Sequence, residues 1–147
     1  MDETTVTSLV ERSQKPVFGF VLCLSCAGRQ EAFELAVDSL TSALRSFSLV
    51  PAASEFLRAL FKTAIQKCRD FPAPTGPDLS GEQMSRLIKK AMFSLSFEQK
   101  CLLLLRDQQH FTYEDMAVIL DKDLKEVRSQ VLVARDTLRL QTESLLA

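Results

Sequence analysis

The stretch from Leu95 to Leu140, LSFEQKCLLLLRDQQHFTYEDMAVILDKDLKEVRSQVLVARDTLRL, constrains the fold more than any other part of the chain. Its apolar residues recur at helical intervals, and capping signals precede the last two runs. Thr112-Tyr113-Glu114-Asp115 sets a hydroxyl three residues ahead of a carboxylate, just before Met116, Ala117, Ile119 and Leu120. Asp123-Leu124-Lys125-Glu126 repeats the arrangement, and Asp121-Lys122-Asp123 between them leaves room only for a tight corner. Two helices so joined, the second longer than the first, have the plan of a helix-turn-helix.

The remainder is also predicted to be helical. Gly and Pro are few (four and five in 147 residues), and period-2 alternation is scarce, so the expected class is all-α. Pro16 is expected at the start of a helix over Val17 to Ala27, stopped by Gly28, with a short helix or frayed tail before it. Over Gln30 to Phe47, a stripe of Phe33, Ala36, Val37, Leu40, Ala43, Leu44 and Phe47 predicts a half-buried helix, opposite an acidic face of Glu31, Glu34 and Asp38. A third helix, about Ser54 to Arg69 with Ser54 as its cap, buries Phe56, Leu60, Ala64 and Cys68. On another of its faces it aligns Arg58, Lys62 and Arg69.

Phe71 to Gly81 holds three prolines and two glycines in eleven residues, which breaks the chain into two lobes, 1–70 and 82–147, with 71–81 as linker. In the second lobe, Met84, Leu87, Ile88, Ala91, Met92 and Leu95 form one stripe. Ser96 is predicted to cap a buried helix from Phe97 to Asp107, and Arg106 to pair locally with Asp107. In the last helix the buried stripe is Leu124, Val127, Val131, Ala134 and Leu138. The opposite face then carries Lys125, Ser129, Leu132, Val133 and Asp136.

Charge argues mildly against a dedicated nucleic-acid binder. The net charge is -1; residues 1–70 carry eight basic and eight acidic groups, and residues 82–147 ten of each. Cys23-Leu24-Ser25-Cys26 has metal or redox spacing, but Cys68 and Cys101 stand apart and His110 is the one histidine, so no metal or other cofactor is expected. Nothing resembles a phosphate-cradling loop or a nucleophile with its base, so no enzyme is expected. The start of the chain lacks a signal peptide's basic segment and cleavable apolar core, and the run from Val17 to Ala27 falls short of the ~20 residues that span a bilayer. A soluble, cytoplasmic protein without membrane contact is the expectation.

The wording of the last helices, Leu105-Arg106-Asp107, Tyr113-Glu114-Asp115-Met116-Ala117, Ile119-Leu120, Val127-Arg128-Ser129 and Ala134-Arg135-Asp136-Thr137-Leu138-Arg139, resembles the fourth conserved region of bacterial extracytoplasmic-function sigma factors. Glu31 to Leu40, with Ala43 and Arg45, is similar to the second region of the same family, and Phe56, Leu60, Phe61, Lys62, Ala64, Cys68 and Asp70 keep the spacing of the segment that follows it. The resemblance implies two helical lobes that direct promoter-specific transcription initiation. Glu34, Leu35 and Asp38 would dock on core RNA polymerase. Arg58, Lys62 and Arg69 would engage the minus-ten element, and Lys125, Arg128, Ser129, Arg135 and Arg139 the minus-thirty-five element. An anti-sigma factor is an implied partner. The chain departs from the pattern at Val37 and Leu44, where the family has Gln and Trp, at Ala59, another Trp position, and at Gln130 and Val133, where Arg is common. With its neutral lobes and two aliphatics on the recognition face, the alternative is a sigma-like decoy or adaptor that binds an anti-sigma factor or other protein without reading DNA.

Overall fold

The computed structural model describes residues 3–72 and 81–147, and among these every regular element is helical. Three helices form the first lobe: α1 (Glu3–Ser25), α2 (Arg29–Arg45) and α3 (Ala53–Asp70). The second lobe holds α4 (Gln83–Phe93), α5 (Phe97–Leu103), α6 (Tyr113–Leu120) and α7 (Leu124–Leu146). Most of the expected linker, residues 73–80, lies outside the described residues.

The polar start and the apolar run predicted as separate pieces are one helix with Pro16 inside it. An interior proline forfeits a backbone hydrogen bond, roughly 3 kcal/mol. Here the face holding Leu9, Ser13, Val17, Phe20, Val21 and Leu24 is buried on both sides of the proline, and that packing outweighs the loss. Ser13 Oγ donates to Leu9 O at 2.7 Å, and Gln109 Nε2 donates to Pro16 O at 3.1 Å. Left-handed Cys26 (φ 56°) ends α1, so Gly28 is not the stop; Gly28 is the N-cap residue of α2.

In α2 the inward face is Ala32, Ala36, Ser39, Leu40 and Ala43. Phe33 and Val37, expected in the buried stripe, are 55% and 42% exposed. The apolar arc of this helix is wider than one interface can cover, and α2 packs on both α1 and α3. Small side chains let three helices approach closely, so the alanine face wins and the larger residues turn outward. Ser39 Oγ satisfies itself on Leu35 O at 2.7 Å. In α3, Phe56, Leu60, Phe61, Ala64, Ile65 and Cys68 are buried, in accord with the predicted stripe. Its N-cap residue is Ala52 rather than Ser54, which lies in the first turn.

Helix α4 begins after Glu82, preceded by left-handed Gly81 (φ 100°). It packs chiefly on α7 and buries only Ala91, leaving Met84 and Ile88 of the predicted stripe exposed. Ser96 caps α5 through a reciprocal pair: Gln99 N donates to Ser96 Oγ at 3.1 Å, and Ser96 N donates to Gln99 Oε1 at 3.2 Å. Beyond Leu103 the helix widens into a π-type turn over Leu104–Gln108, where Gln109 N reaches back five residues to Leu104 O at 3.0 Å. The widened turn keeps Leu104 and Leu105 in the core while aiming Arg106 at the α6 entry.

Buried side chains run without interruption from one lobe into the other, joining Phe20, Phe56 and Phe61 to Leu105, Met116, Ile119, Val127 and Val131. Phe61 is the link. Its ring stands edge-on to Phe20 at 4.9 Å and to Phe111 of the second lobe at 5.1 Å.

Candidate protein and nucleic-acid interfaces

The helix-turn-helix corner is built from three local devices. Thr112 Oγ1 accepts from Asp115 N at 3.0 Å and starts α6. Asp121 ends α6 in left-handed geometry (φ 53°, ψ 53°), a conformation Asp tolerates better than most residues. Lys122 and Asp123 then lead into α7. The second capping box expected at Asp123 does not form, since its side chain makes no cap bond. A chain of side chains replaces it: Lys122 Nζ donates to Gln130 Oε1 at 2.9 Å, and Gln130 Nε2 donates to Glu126 Oε1 at 3.0 Å.

Helix α7 divides as its periodicity predicts. Val127, Val131 and Ala134 are buried, Leu124 and Leu138 half-buried, and Lys125, Ser129, Leu132, Val133 and Asp136 exposed. Leu132 and Val133 are 64% and 57% exposed. The arginines bordering this face are engaged by carboxylates. Arg135 holds Asp107 at 2.6 Å, and Arg139 bridges Asp136 at 2.6 Å and Glu143 at 3.0 Å. Arg128 lies 3.9 Å from Glu114, with its guanidinium 5.8 Å from the Tyr113 ring centroid. The hydrogen bond it donates to Asp107 raises the Arg135 guanidinium above its ordinary value. The local Arg106–Asp107 pair is not made. Arg106 instead donates to Phe111 O at 2.8 Å and stacks 4.3 Å over Tyr113, so it braces the corner and frees Asp107 for Arg135.

On α2, Glu34 and Asp38 are exposed and Leu35 is half-buried. Beside them, outward-turned Phe33 and Val37 join Phe18 and Leu40 in a groove of about 290 Å³ between α1 and α2. Acidic groups and an open apolar strip therefore share one side of the first lobe, a combination suited to holding a helical protein segment.

The α3 cations have a different setting. Arg58 Nη1 donates to Asp115 Oδ1 of α6 at 3.1 Å. Arg69 pairs with Glu98 of α5, and its guanidinium sits 4.8 Å over the Phe97 ring. The Glu98 hydrogen bond raises the Arg69 guanidinium above its usual value. Lys62 is exposed. Asp115 and Glu98 did not stand out as partners in the sequence; their only signal was a place in the first turn of a capped helix, where carboxylates are common anyway.

Cys68 and Cys101 are buried, and desolvation pushes both thiols up to about 12. Cys23 is exposed and accepts a 3.5 Å contact from Gln108 Nε2, while Cys26 Sγ lies 3.8 Å from Lys100 Nζ. Among the described residues no cluster of three or more His, Cys, Asp or Glu could hold a metal ion, and no helix is long and apolar enough to cross a membrane. No protein-family model matches this chain, and a comparison with curated proteins gives no match either.

Proposed function

We propose that this chain is a sigma-factor-like protein of the extracytoplasmic-function type, acting in the cytoplasm by binding core RNA polymerase and directing transcription initiation. The observation that carries the reading is the corner formed by α6, Asp121 and α7. A capped eight-residue helix, a left-handed residue and a two-residue turn lead into a long helix whose Lys125 and Ser129 point away from the core. Glu34, Leu35 and Asp38 on α2 would supply the polymerase contact, next to the groove at Phe33. Arg58, Lys62 and Arg69 would meet the minus-ten element, and Lys125, Arg128, Ser129, Arg135 and Arg139 the minus-thirty-five element. No cofactor or catalytic group belongs to this role. The test is run-off transcription from the gene's own upstream region with purified core polymerase. A specific transcript that depends on the protein supports the reading, and its absence contradicts it.

A second reading rests on the exposure of Leu132 and Val133 and on the carboxylates that engage Arg128, Arg135 and Arg139. Aliphatics in a major groove forgo hydrogen bonds with base edges, whereas they suit a protein partner. A sigma-like decoy or adaptor binding an anti-sigma factor would use this face. Stable association with polymerase without initiation would favour it.

A further inference from the structure

We propose that the second lobe is a built-in competitor for Arg58 and Arg69 of α3, latching the protein in a closed form in which polyanion binding by these two cations is blocked while the α2 face stays open. The inference rests on the sigma-like reading and adds its regulation. Two carboxylates of the second lobe, Asp115 and Glu98, sit on Arg58 and Arg69 of α3, where a phosphate backbone would have to sit. Phe97 covers the Arg69 guanidinium from one side. Between the two ion pairs Phe61 meets Phe111, and along the α1 flank Gln109 and Gln108 reach Pro16 O and Cys23. The contacts are complementary in charge, and each joins an α1 or α3 group to one of the second lobe. Glu34, Asp38 and Phe33 of α2 remain exposed in this same form. A partner that prised α5 and α6 off α3 would release Arg58 and Arg69 together and expose Cys68 and Cys101, which are now buried.

The test uses the full chain with Asp115→Asn and Glu98→Gln combined, changes that keep shape and remove charge. The thiols of Cys68 and Cys101 report opening, each rate compared with that of the same thiol in the wild-type chain, and binding of a short forked DNA duplex reports the freed cations. Two partly exposed ion pairs together predict labelling and DNA affinity that both rise severalfold, up to about tenfold. A companion variant, Arg58→Ala with Arg69→Ala, should label faster to the same degree but gain no DNA affinity, which separates unlatching from general loosening. Unchanged labelling, or faster labelling with no gain in DNA binding by the carboxylate variant, overturns the latch. Failure of the sigma-like reading is seen separately, as absence of association with core polymerase in both wild type and variants, whatever the labelling shows.

Discussion

Phe61 of α3 and Phe111 of the segment entering α6 meet edge to face with ring centroids 5.1 Å apart, at the seam of a buried cluster that spans both lobes. A shared core couples the lobes in unfolding, because neither can lose its packing without exposing the other's aromatic face. Phe61→Ala is expected to cost about 3–5 kcal/mol and Phe111→Ala, half-buried, about half as much. Denaturant titration followed by far-UV circular dichroism should give one transition for the wild-type chain, with its midpoint lowered in that order.

Removal of caps tests how far the corner depends on local chemistry. Thr112→Ala removes the acceptor for Asp115 N, and Ser96→Ala breaks the reciprocal pair with Gln99. Each should destabilise by about 1 kcal/mol. Asp123→Ala should cost less, because Asp123 makes no side-chain cap bond. The order of the three midpoints is the check.

The outward face of α7 discriminates between groove and protein. Leu132→Arg with Val133→Arg removes two exposed aliphatics, so stability should change by no more than about 0.5 kcal/mol. If α7 reads DNA, two added cations should tighten binding and steepen its salt dependence. Unaltered DNA binding with loss of a protein partner would instead favour the adaptor reading.

Alkaline pH should unfold the chain through its buried thiols. Cys68 and Cys101 titrate near 12 when folded against an ordinary value of 9.0. The unfolded chain therefore releases these protons first, and its thiolates draw the equilibrium toward it. Stability should be insensitive to these groups below about 9 and decline as pH rises from there toward about 12. Melting temperatures from neutral to alkaline pH would show the decline, and Cys68→Ala with Cys101→Ala should flatten it.

What the sequence revealed follows from how local each signal is. The α7 stripe was legible because that helix has one buried side, and the corner was legible because Thr112 and Asp121 act within a few residues of themselves. The buried face of α2 was not. Its apolar arc includes both Phe33 and Ala32, and only contact with α1 and α3 decides in favour of the small residues. Continuity of α1 through Pro16 likewise depends on tertiary packing that outweighs a local penalty. The pair Arg58–Asp115 joins residues 57 positions apart, so a cation that reads as free in the sequence is paired in the fold.

Association with core RNA polymerase tests the account at its centre. Wild-type protein should co-elute with purified core polymerase, and Glu34→Lys with Asp38→Lys should weaken that association by about tenfold or more while leaving helicity intact. No co-elution, or co-elution indifferent to both substitutions, would contradict the assignment of the α2 face and the sigma-like role built upon it.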